Sequence, residues 1–268
     1  MLRGLLKFLL GTVLLLVLLA GGFVLSLRAV PPATVFELAP LAAGDPKAPP
    51  VIVFGASRGT GLQIAMQLRA RGDRVTAFVR PGSDRGGLEP LGVQFVVGDA
   101  LNMSDVRNAF AAGKYRAVVS TIGCFKCDRP PDYIGNRNIM VSARDAGVQR
   151  MVLVTSIGVG DSRDAIPWAS KKFLGSILPL KEQAELTLID SGLDYTIIRP
   201  GGLTRPDTPT GYGVLTEDRR AFGFISRGDL ARLIINCLDD DRTIGKIFAA
   251  LDPRRRFPWS RPPQEPEK

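Results

Sequence analysis

Apolar residues recur in short runs that alternate with segments of helical periodicity along most of the chain. The β-rich runs predict buried strands at 74–79, 93–97, 117–121, 151–155, 195–198 and 246–250, after a first strand that begins at Val51. The segments between them predict helices at about 59–71, 104–111 (with Ser104 as N-cap), 133–146, 170–191 and 227–238. This alternation predicts one α/β domain with a doubly wound parallel sheet, a Rossmann architecture that binds ligands at the carboxyl ends of its strands.

The first predicted crossover is rich in glycine, in the sequence GASRGTG at 55–61. Glycine permits positive φ and lets a pyrophosphate approach the amide groups, while the helix dipole favours its negative charge. The turn is therefore a candidate dinucleotide cradle, and the alternative is a tight βα turn without a ligand. The candidate cofactor-binding residues in this turn are Gly55, Ser57, Arg58, Gly59, Thr60 and Gly61.

The second predicted strand ends in Arg80, about 25 residues after Gly55, where a NAD-selective protein usually carries an acidic side chain for the ribose hydroxyl. A cation there suits a 2′-phosphate, and Arg58 in the glycine turn can reach the same group. The pair predicts NADP as cofactor, with NAD as the alternative. The ordinary interpretation is two solvated surface arginines.

An almost uninterrupted apolar run extends from Phe8 to Leu27. A helix of about twenty apolar residues crosses a ~30 Å hydrocarbon core. The competing interpretation is a cleaved signal peptide with Ala20-Gly21-Gly22 as its cleavage site, but the run is longer than an ordinary signal core. The pattern therefore predicts an N-terminal transmembrane helix and a single-pass membrane protein.

The side of the membrane on which the domain lies follows from two conflicting arguments. Arg3 and Lys7 outweigh Arg28, which favours an exported domain by the positive-inside rule. Reduced dinucleotides are instead cytosolic or matrix metabolites, and the charge difference is small, so we expect the domain on the cytoplasmic side. The predicted organisation is an anchor at 1–28, a proline-rich linker at 29–49, a dinucleotide-binding domain at 50–252 and a disordered basic tail at 253–268.

Composition narrows the chemistry. The 268 residues are 45% hydrophobic, enough for one large core, and the net charge of +9 favours an anionic partner such as a phosphate ligand or anionic lipid. No basic helix face interleaved with aromatics is present, so nucleic acid is not an expected partner. Histidine is absent, which excludes histidine triads, histidine acid–base catalysis and the common histidine-containing zinc sites, and no metal site is predicted.

Further short motifs follow the later predicted strands. They are GD at 98–99, STIG at 120–123, VTSIG at 154–158, YTIIRPGG at 195–202 and ISRGDLA at 225–231. With the glycine turn, they make residues 50–252 resemble the atypical branch of the short-chain dehydrogenase/reductase superfamily, which includes NmrA-like and biliverdin/flavin reductase-like NAD(P)-binding proteins.

This resemblance implies positions for the cofactor. Asp99 and Ala100 would lie beside the adenine, Ser120 and Thr121 beside the ribose and phosphates, and Pro200 with Gly201 beside the nicotinamide. Ser156 matches the active-site serine, which orients a substrate carbonyl, although serine is also an ordinary turn residue.

The chain departs from the superfamily at one catalytic position. Catalytic members carry a tyrosine four residues before a lysine; Lys181 matches the lysine, but Ile177 stands in place of the tyrosine. Lys181 either binds the nicotinamide ribose or is a surface helix charge. Because hydride transfer is the cofactor's chemistry and flavin-type acceptors can take a proton from water, reductase activity does not require the tyrosine.

Cys124 and Cys127 form a C-x-x-C in the loop after the fourth predicted strand, near the expected nicotinamide end. Three cysteines are too few for a disulfide framework, and two cannot complete a zinc site. The pair is either a redox dithiol or two inert loop cysteines.

Two functions fit these observations. The first is a membrane-anchored, NADPH-dependent reductase that transfers hydride to a flavin, a quinone or a conjugated carbonyl compound. The second is a non-catalytic NADP-binding assembly or accessory factor for a membrane complex. A tyrosine recruited to the nicotinamide, such as Tyr133 or Tyr212, would favour the enzyme, and a purely apolar lining would favour the binder.

Overall fold

The computed structural model describes residues 12, 13, 16, 22, 28–205 and 207–257. The strands are β1 (Val51–Phe54), β2 (Val75–Val79), β3 (Gln94–Val97), β4 (Ala117–Ser120), β5 (Arg150–Val154), β6 (Asp194–Pro200), β7 (Gly202–Thr204), β8 (Val214–Thr216), β9 (Phe224–Ser226) and β10 (Lys246–Leu251). The helices are α1 (Gly59–Arg71), α2 (Met103–Ala111), α3 (Ile134–Asp145), α4 (Trp168–Leu174), α5 (Leu178–Ile189) and α6 (Arg227–Asp239).

Eight strands form one sheet in the order β3-β2-β1-β4-β5-β6-β10-β8, and all pairs in it are parallel except β10 with β8. Strands β1 and β4 are buried throughout because helices cover both faces of the sheet. Side chains of α1 and α6 pack in the hydrophobic core on one face, and those of α2, α3 and α5 pack in the core on the other. The predicted Rossmann fold is thus confirmed.

The strand order reverses direction between β1 and β4, which places a crevice outside their carboxyl ends. The amide of Thr121 donates a hydrogen bond to the carbonyl of Phe54 at 3.0 Å and ties the two strand ends together. The fold therefore brings the segments that follow β1 and β4 to one edge of the sheet.

Two local predictions are wrong. The single helix expected at 170–191 is two helices, because α4 ends before Gly175 and α5 restarts with Pro179 in its first turn, a position that proline favours. The N-cap of α2 is Asn102 and not Ser104: the Asn102 side chain accepts a hydrogen bond from the Ser104 amide at 3.0 Å. The short strands β7, β8 and β9 were not predicted.

The proline-rich segment predicted as a linker is hydrogen-bonded to the domain. Val30 pairs with Phe222 and Phe36 pairs with Leu215 in antiparallel bridges. The Phe36 ring packs on Phe248 with a centroid distance of 4.8 Å. We call residues 29–49 the strap.

The predicted basic tail is described as far as residue 257, and the remainder lies outside the described residues. Its first part folds back onto the domain: Arg255 is 4% exposed, and Arg254 lies over the Tyr212 ring at 3.5 Å from the centroid. The expected disorder therefore does not apply to residues 253–257.

The predicted localisation is corrected. Within the described part of the chain, no helix has the length and apolarity needed to cross a bilayer. The predicted span at 8–27 lies outside the described residues apart from Thr12, Val13, Leu16 and Gly22. The assignment as a single-pass membrane protein with a cytoplasmic domain is therefore withdrawn, and we assign no location.

Candidate functional site

A cavity of about 630 Å³ lies at the carboxyl edge of the sheet. Its walls come from the segments that follow β1 to β6, and from the loops around α4 and β9. A cavity of this size at the topological switch point is where an α/β sheet binds its ligand. Of the predicted site residues, the cavity is lined by Gly55, Ser57, Arg58, Gly59, Thr60, Arg80, Asp99, Ala100, Thr121, Ser156, Lys181, Pro200 and Gly201.

The glycine turn can hold a phosphate group because its backbone is close-packed and uncapped. Gly55 has φ +86°, and a Cβ on Gly61 would lie 2.2 Å from the Gly55 carbonyl oxygen. Helix α1 begins directly after Arg58, with no side-chain cap and no acidic residue in its first turn. Its first amides therefore remain available to an anionic ligand, as a pyrophosphate requires.

Two arginines stand at the outer end of the cavity. Arg58 and Arg80 both line it and are exposed to solvent. Neither has an ion-pair partner among the residues that the structure describes. The nearest acidic residue in sequence, Asp84, accepts a hydrogen bond from the Gly86 amide at 2.9 Å and is not part of the lining. This end of the cavity therefore carries positive charge.

The central part of the cavity is shaped by the loop after β3. The Asp99 carboxylate accepts a hydrogen bond from the Leu101 amide at 2.9 Å, and the Asp99 amide donates to Asp105 Oδ2 at 2.8 Å. Ser120, predicted beside the ribose and phosphates, does not line the cavity: its Oγ donates to Asn136 Oδ1 at 2.6 Å, and it is fully buried. Gly61 contributes through its close packing and not through the lining.

The inner end of the cavity lies after β5 and β6. A Cβ on Gly201 would lie 2.1 Å from the carbonyl oxygen of Gly223, so this crossing of two backbones accepts only glycine. The Ser156 hydroxyl donates to the carbonyl of Ile157 at 2.9 Å and faces the cavity in a half-buried position. Aromatic and aliphatic side chains form the rest of this end: Phe125, Ile166, Leu174, Leu203, Phe222 and Phe224.

Lys181 is not a surface charge. Its Nζ lies 2.8 Å from Asp132 Oδ1, and the two side chains are 9% and 0% exposed. The other oxygen of Asp132 accepts a hydrogen bond from the Cys124 amide at 2.9 Å. Lys181 and Asp132 both line the cavity, so a buried ion pair supplies polar hydrogens at its inner end.

No tyrosine is recruited to the cavity within the described residues. Ile177, at the position of the superfamily tyrosine, is 2% exposed. Tyr133 packs against the hydrophobic core, and Tyr212 lies under Arg254. The polar side chains that line this end include Ser156, Ser170, Lys181 and Asp132.

A second buried ion pair supports the floor of the site. Arg199 binds Glu185 through Nη2 and Oε2 at 2.6 Å, and the Thr155 hydroxyl donates to the same carboxylate at 2.6 Å. Burial lowers the pKa of Arg199, but the hydrogen bonds to Glu185 and Asp161 outweigh it and the pKa is raised. Because Thr155 and Arg199 directly precede Ser156 and Pro200, this network fixes the two strand ends that carry the inner site.

Sequence reasoning missed several of these contributors. Glu185 carried a usable signal, since it follows Lys181 by four residues and so shares its helix face. Asp132 and the aromatic pair Phe222 and Phe224 carried none, because loops far apart in sequence bring them to the cavity.

The C-x-x-C pair forms a disulfide, Cys124–Cys127. Both cysteines line the cavity, together with Phe125 between them. The third cysteine, Cys237, is fully buried, and burial raises the pKa of its thiol to about 12. The two loop cysteines are therefore bonded to each other, a pairing that the sequence analysis did not predict.

A doubly wound sheet, an uncapped helix behind a glycine turn and a cavity across the switch point together define a dinucleotide-binding Rossmann protein. The sequence pattern of the NAD(P)H-binding family matches residues 55–241. The chain belongs to this family, and the resemblance to atypical short-chain dehydrogenases/reductases is confirmed. A nicotinamide dinucleotide is therefore its ligand class.

The chain is similar to proteins of plants and bacteria. An uncharacterized chloroplastic protein of Arabidopsis thaliana is 34% identical over 209 residues, which cover 74% of both chains. The chloroplastic protein TIC 62 of Oryza sativa is 29% identical over 90% of this chain, but the chain spans only 57% of its length. The solved structure of ChuY, an anaerobillin reductase of Escherichia coli O157:H7, is 31% identical with a TM-score of 0.69, and covers 76% of this chain and 97% of ChuY.

Proposed function

We propose that this protein is an NADPH-dependent reductase that transfers hydride to a bulky conjugated acceptor such as a flavin, a quinone or another conjugated carbonyl compound. The observation that carries the proposal is the continuity of one cavity from the glycine turn to an apolar chamber after β5 and β6. The bound dinucleotide would supply the hydride at that chamber. The similarity to ChuY, a reductase, supports the same reaction class.

The apolar character of the chamber supports a large, planar acceptor. Phe222 and Phe224, which line the chamber, pack edge to face with centroids 5.5 Å apart. Phe125 also lines the cavity and packs on Phe173 at 6.1 Å, and the two side chains are 54% and 71% exposed. Exposed aromatic faces at a cavity mouth are suited to stacking on a conjugated ligand.

Arg58 and Arg80 support a preference for NADPH. A guanidinium group matches the geometry of a phosphate and forms charge-assisted hydrogen bonds with it. Neither arginine is engaged in an ion pair within the described part of the chain, so binding a 2′-phosphate breaks no existing pair. At the end of β2, where a NAD-selective protein usually carries an acidic side chain, this chain has Arg80.

In the proposed reaction, Lys181 or solvent supplies the proton that the reduced acceptor needs, and Ser156 orients the acceptor. Asp132 holds the Lys181 ammonium at the cavity wall, where it can bind the nicotinamide ribose and donate a proton to the reduced acceptor. Ser156 is placed to orient an acceptor carbonyl when its hydroxyl rotates away from Ile157. These roles replace the missing tyrosine.

The experiment first measures the binding of NADPH and of NADH by titration of the protein. It then measures the rate of NADPH oxidation with flavins, with quinones and with anaerobillin, because ChuY is an anaerobillin reductase. We expect NADPH to bind more tightly than NADH and at least one acceptor to be reduced. Tight NADPH binding without turnover on any acceptor would contradict the reductase.

That contrary outcome would support the second candidate, a non-catalytic NADP-binding accessory factor. The observation that favours it is the absence of a tyrosine from the cavity lining among the described residues.

The cofactor preference has a sharper test in Arg80→Glu. We expect this change to weaken NADPH binding about 10- to 100-fold, because a hydrogen bond to a charged group contributes roughly 1.5–3 kcal/mol, and to leave NADH binding nearly unchanged. The matched control is Arg74→Glu, which makes the same charge change at the exposed start of β2, outside the cavity. Equal losses for both cofactors in Arg80→Glu would remove the argument for phosphate selection.

A further inference from the structure

The loop between β4 and α3 carries a four-residue disulfide ring at the mouth of the cavity. Cys124 and Cys127 close the ring, and both line the cavity. Phe125, inside the ring, packs on Phe173 of α4. The disulfide therefore holds one aromatic wall of the mouth in place.

The same ring is connected to the inner site. The Cys124 amide donates to Asp132 Oδ2 at 2.9 Å, and Asp132 Oδ1 lies 2.8 Å from Lys181 Nζ. One hydrogen bond and one ion pair thus connect the disulfide ring to Lys181. A change in the backbone at Cys124 alters the support of Lys181 as well as the position of Phe125.

A purely stabilising role explains this disulfide poorly. The stabilisation by a disulfide grows with the length of the closed loop, and a ring of this kind constrains the unfolded chain least. Cys127 is exposed and Cys124 is half-buried, so an attacking thiolate can reach one sulfur. Lys126 inside the ring and Arg129 after it favour a released thiolate, and Asp128 is the one acidic residue among them.

We propose that Cys124–Cys127 is a thiol–disulfide exchange site that takes two electrons from a dithiol reductant, and that its two redox forms present different mouths to the cavity. A thiolate of the dithiol attacks Cys127 Sγ, the Cys124–Cys127 bond breaks, and Cys124 leaves as a thiolate that takes up a proton. The second thiolate of the reductant then displaces Cys127 from the mixed disulfide. The protein gains two thiols, and the reductant becomes a disulfide.

The exchange is tested by thiol labelling of the folded, full-length protein after equilibration with oxidised and reduced dithiothreitol. Cys237 is an internal control because its buried thiol of raised pKa resists labelling until the protein is denatured. We expect no label on the oxidised folded protein and two labels, on Cys124 and Cys127, after reduction. A bond that millimolar dithiothreitol reduces only in denatured protein would overturn the exchange.

The change at the mouth is tested by hydrogen exchange of residues 121–133 and 168–174 without any acceptor. We expect the amide of Cys124 and the α4 amides to exchange several-fold faster in the reduced form. The variant Cys124→Ser/Cys127→Ser should show the faster amide exchange rate, and dithiothreitol should not change that rate. Exchange in this variant at the rate of the oxidised protein would overturn the link between the disulfide and the mouth.

The consequence for acceptors rests on the proposed reductase function. We expect reduction to change KM for a bulky acceptor by several-fold and the dissociation constant for NADPH by a clearly smaller factor, because the glycine turn lies away from the ring and only the proposed ribose contact of Lys181 is linked to it. An unchanged KM, or equal shifts in KM and in NADPH affinity, would overturn this consequence. The labelling and hydrogen-exchange results do not depend on turnover, so failure of the reductase function and failure of the exchange site remain distinguishable.

Discussion

At the scale of single residues, the glycine turn requires positions that have no side chain. Gly61 lies so close to the Gly55 carbonyl oxygen that a Cβ would approach to 2.2 Å, and its second neighbour would be Thr121 Oγ1 at 2.8 Å. Both neighbours are fixed, one as backbone and one by a hydrogen bond from Thr121 to the Phe54 carbonyl at 3.1 Å. Any side chain at this position must therefore displace the turn that we propose holds the phosphates.

We predict that Gly61→Ala weakens NADPH binding at least about 10-fold and destabilises the fold, although alanine in a helix is intrinsically favoured by about 1 kcal/mol. Gly113→Ala is the matched control, because its Cβ would meet Tyr115 Oη at an ordinary 3.5 Å. Calorimetric titration with NADPH and urea unfolding check both variants. Wild-type affinity in Gly61→Ala would contradict the close-approach argument.

At the scale of elements, the strap shows how a proline-rich segment becomes part of a domain. Bridges at Val30 and Phe36 hold it along β8 and the loop before β9. Near its centre, the Ala39 amide donates to Asp240 Oδ2 at 3.0 Å. Asp240 is also bound by the Arg242 side chain at 2.6 Å and is 5% exposed. The strap is thus fastened by a charged group as well as by apolar contacts.

We predict that Asp240→Asn lowers the free energy of unfolding by about 1 kcal/mol at neutral pH, because hydrogen bonds to a charged acceptor weaken. The hydrogen bond from Arg242 holds the pKa of Asp240 well below its ordinary value of 3.8, against the opposing effect of burial. Its contribution is therefore complete above pH 3.8 and decreases as the pH falls below that value towards the folded-state pKa.

Urea unfolding from pH 7 to pH 3 measures this difference. The control is Asp241→Asn, at the exposed neighbouring position. A gap between wild type and Asp240→Asn that is constant over the whole range would contradict the titration argument.

At the scale of the whole molecule, the cavity is lined by residues from both halves of the sheet. The end that we propose for the phosphates is formed by the segments after β1 and β2, and the inner end is formed by the segments after β5 and β6. A ligand that spans the cavity contacts both halves and binds only the folded chain. Binding is therefore expected to stabilise the domain as a unit.

We predict that NADPH at 100 times its dissociation constant adds about 2.7 kcal/mol to the free energy of unfolding. For a domain of this size that corresponds to a rise in Tm of roughly 5–11 °C. Thermal unfolding with a fixed NADPH concentration should show this rise in wild type and Arg74→Glu, and a much smaller one in Arg80→Glu. No rise at saturating NADPH would contradict the assignment of the cavity to the cofactor.

The alternation of apolar runs and helical segments determined the fold class, the order of the main strands and the location of the glycine turn. These features are local: strand burial, turn chemistry and strand–crossover–strand order are encoded in neighbouring residues. The same locality explains why Arg58, Arg80, Ser156 and Lys181 could be chosen from the sequence and then found in the cavity lining, since each follows a strand or lies in a recognisable motif.

Only the tertiary structure decided how distant segments meet. The partnership of Lys181 with Asp132, the bond from Cys124 to the same carboxylate, and the docking of the strap join residues with no common periodicity. Ser120 shows why a motif alone does not give the direction of a side chain. Its motif placed it correctly at a strand end, but its hydroxyl donates to Asn136 on α3 and does not face the cavity. Side-chain direction and long-range pairing depend on the packed core, which no local pattern specifies.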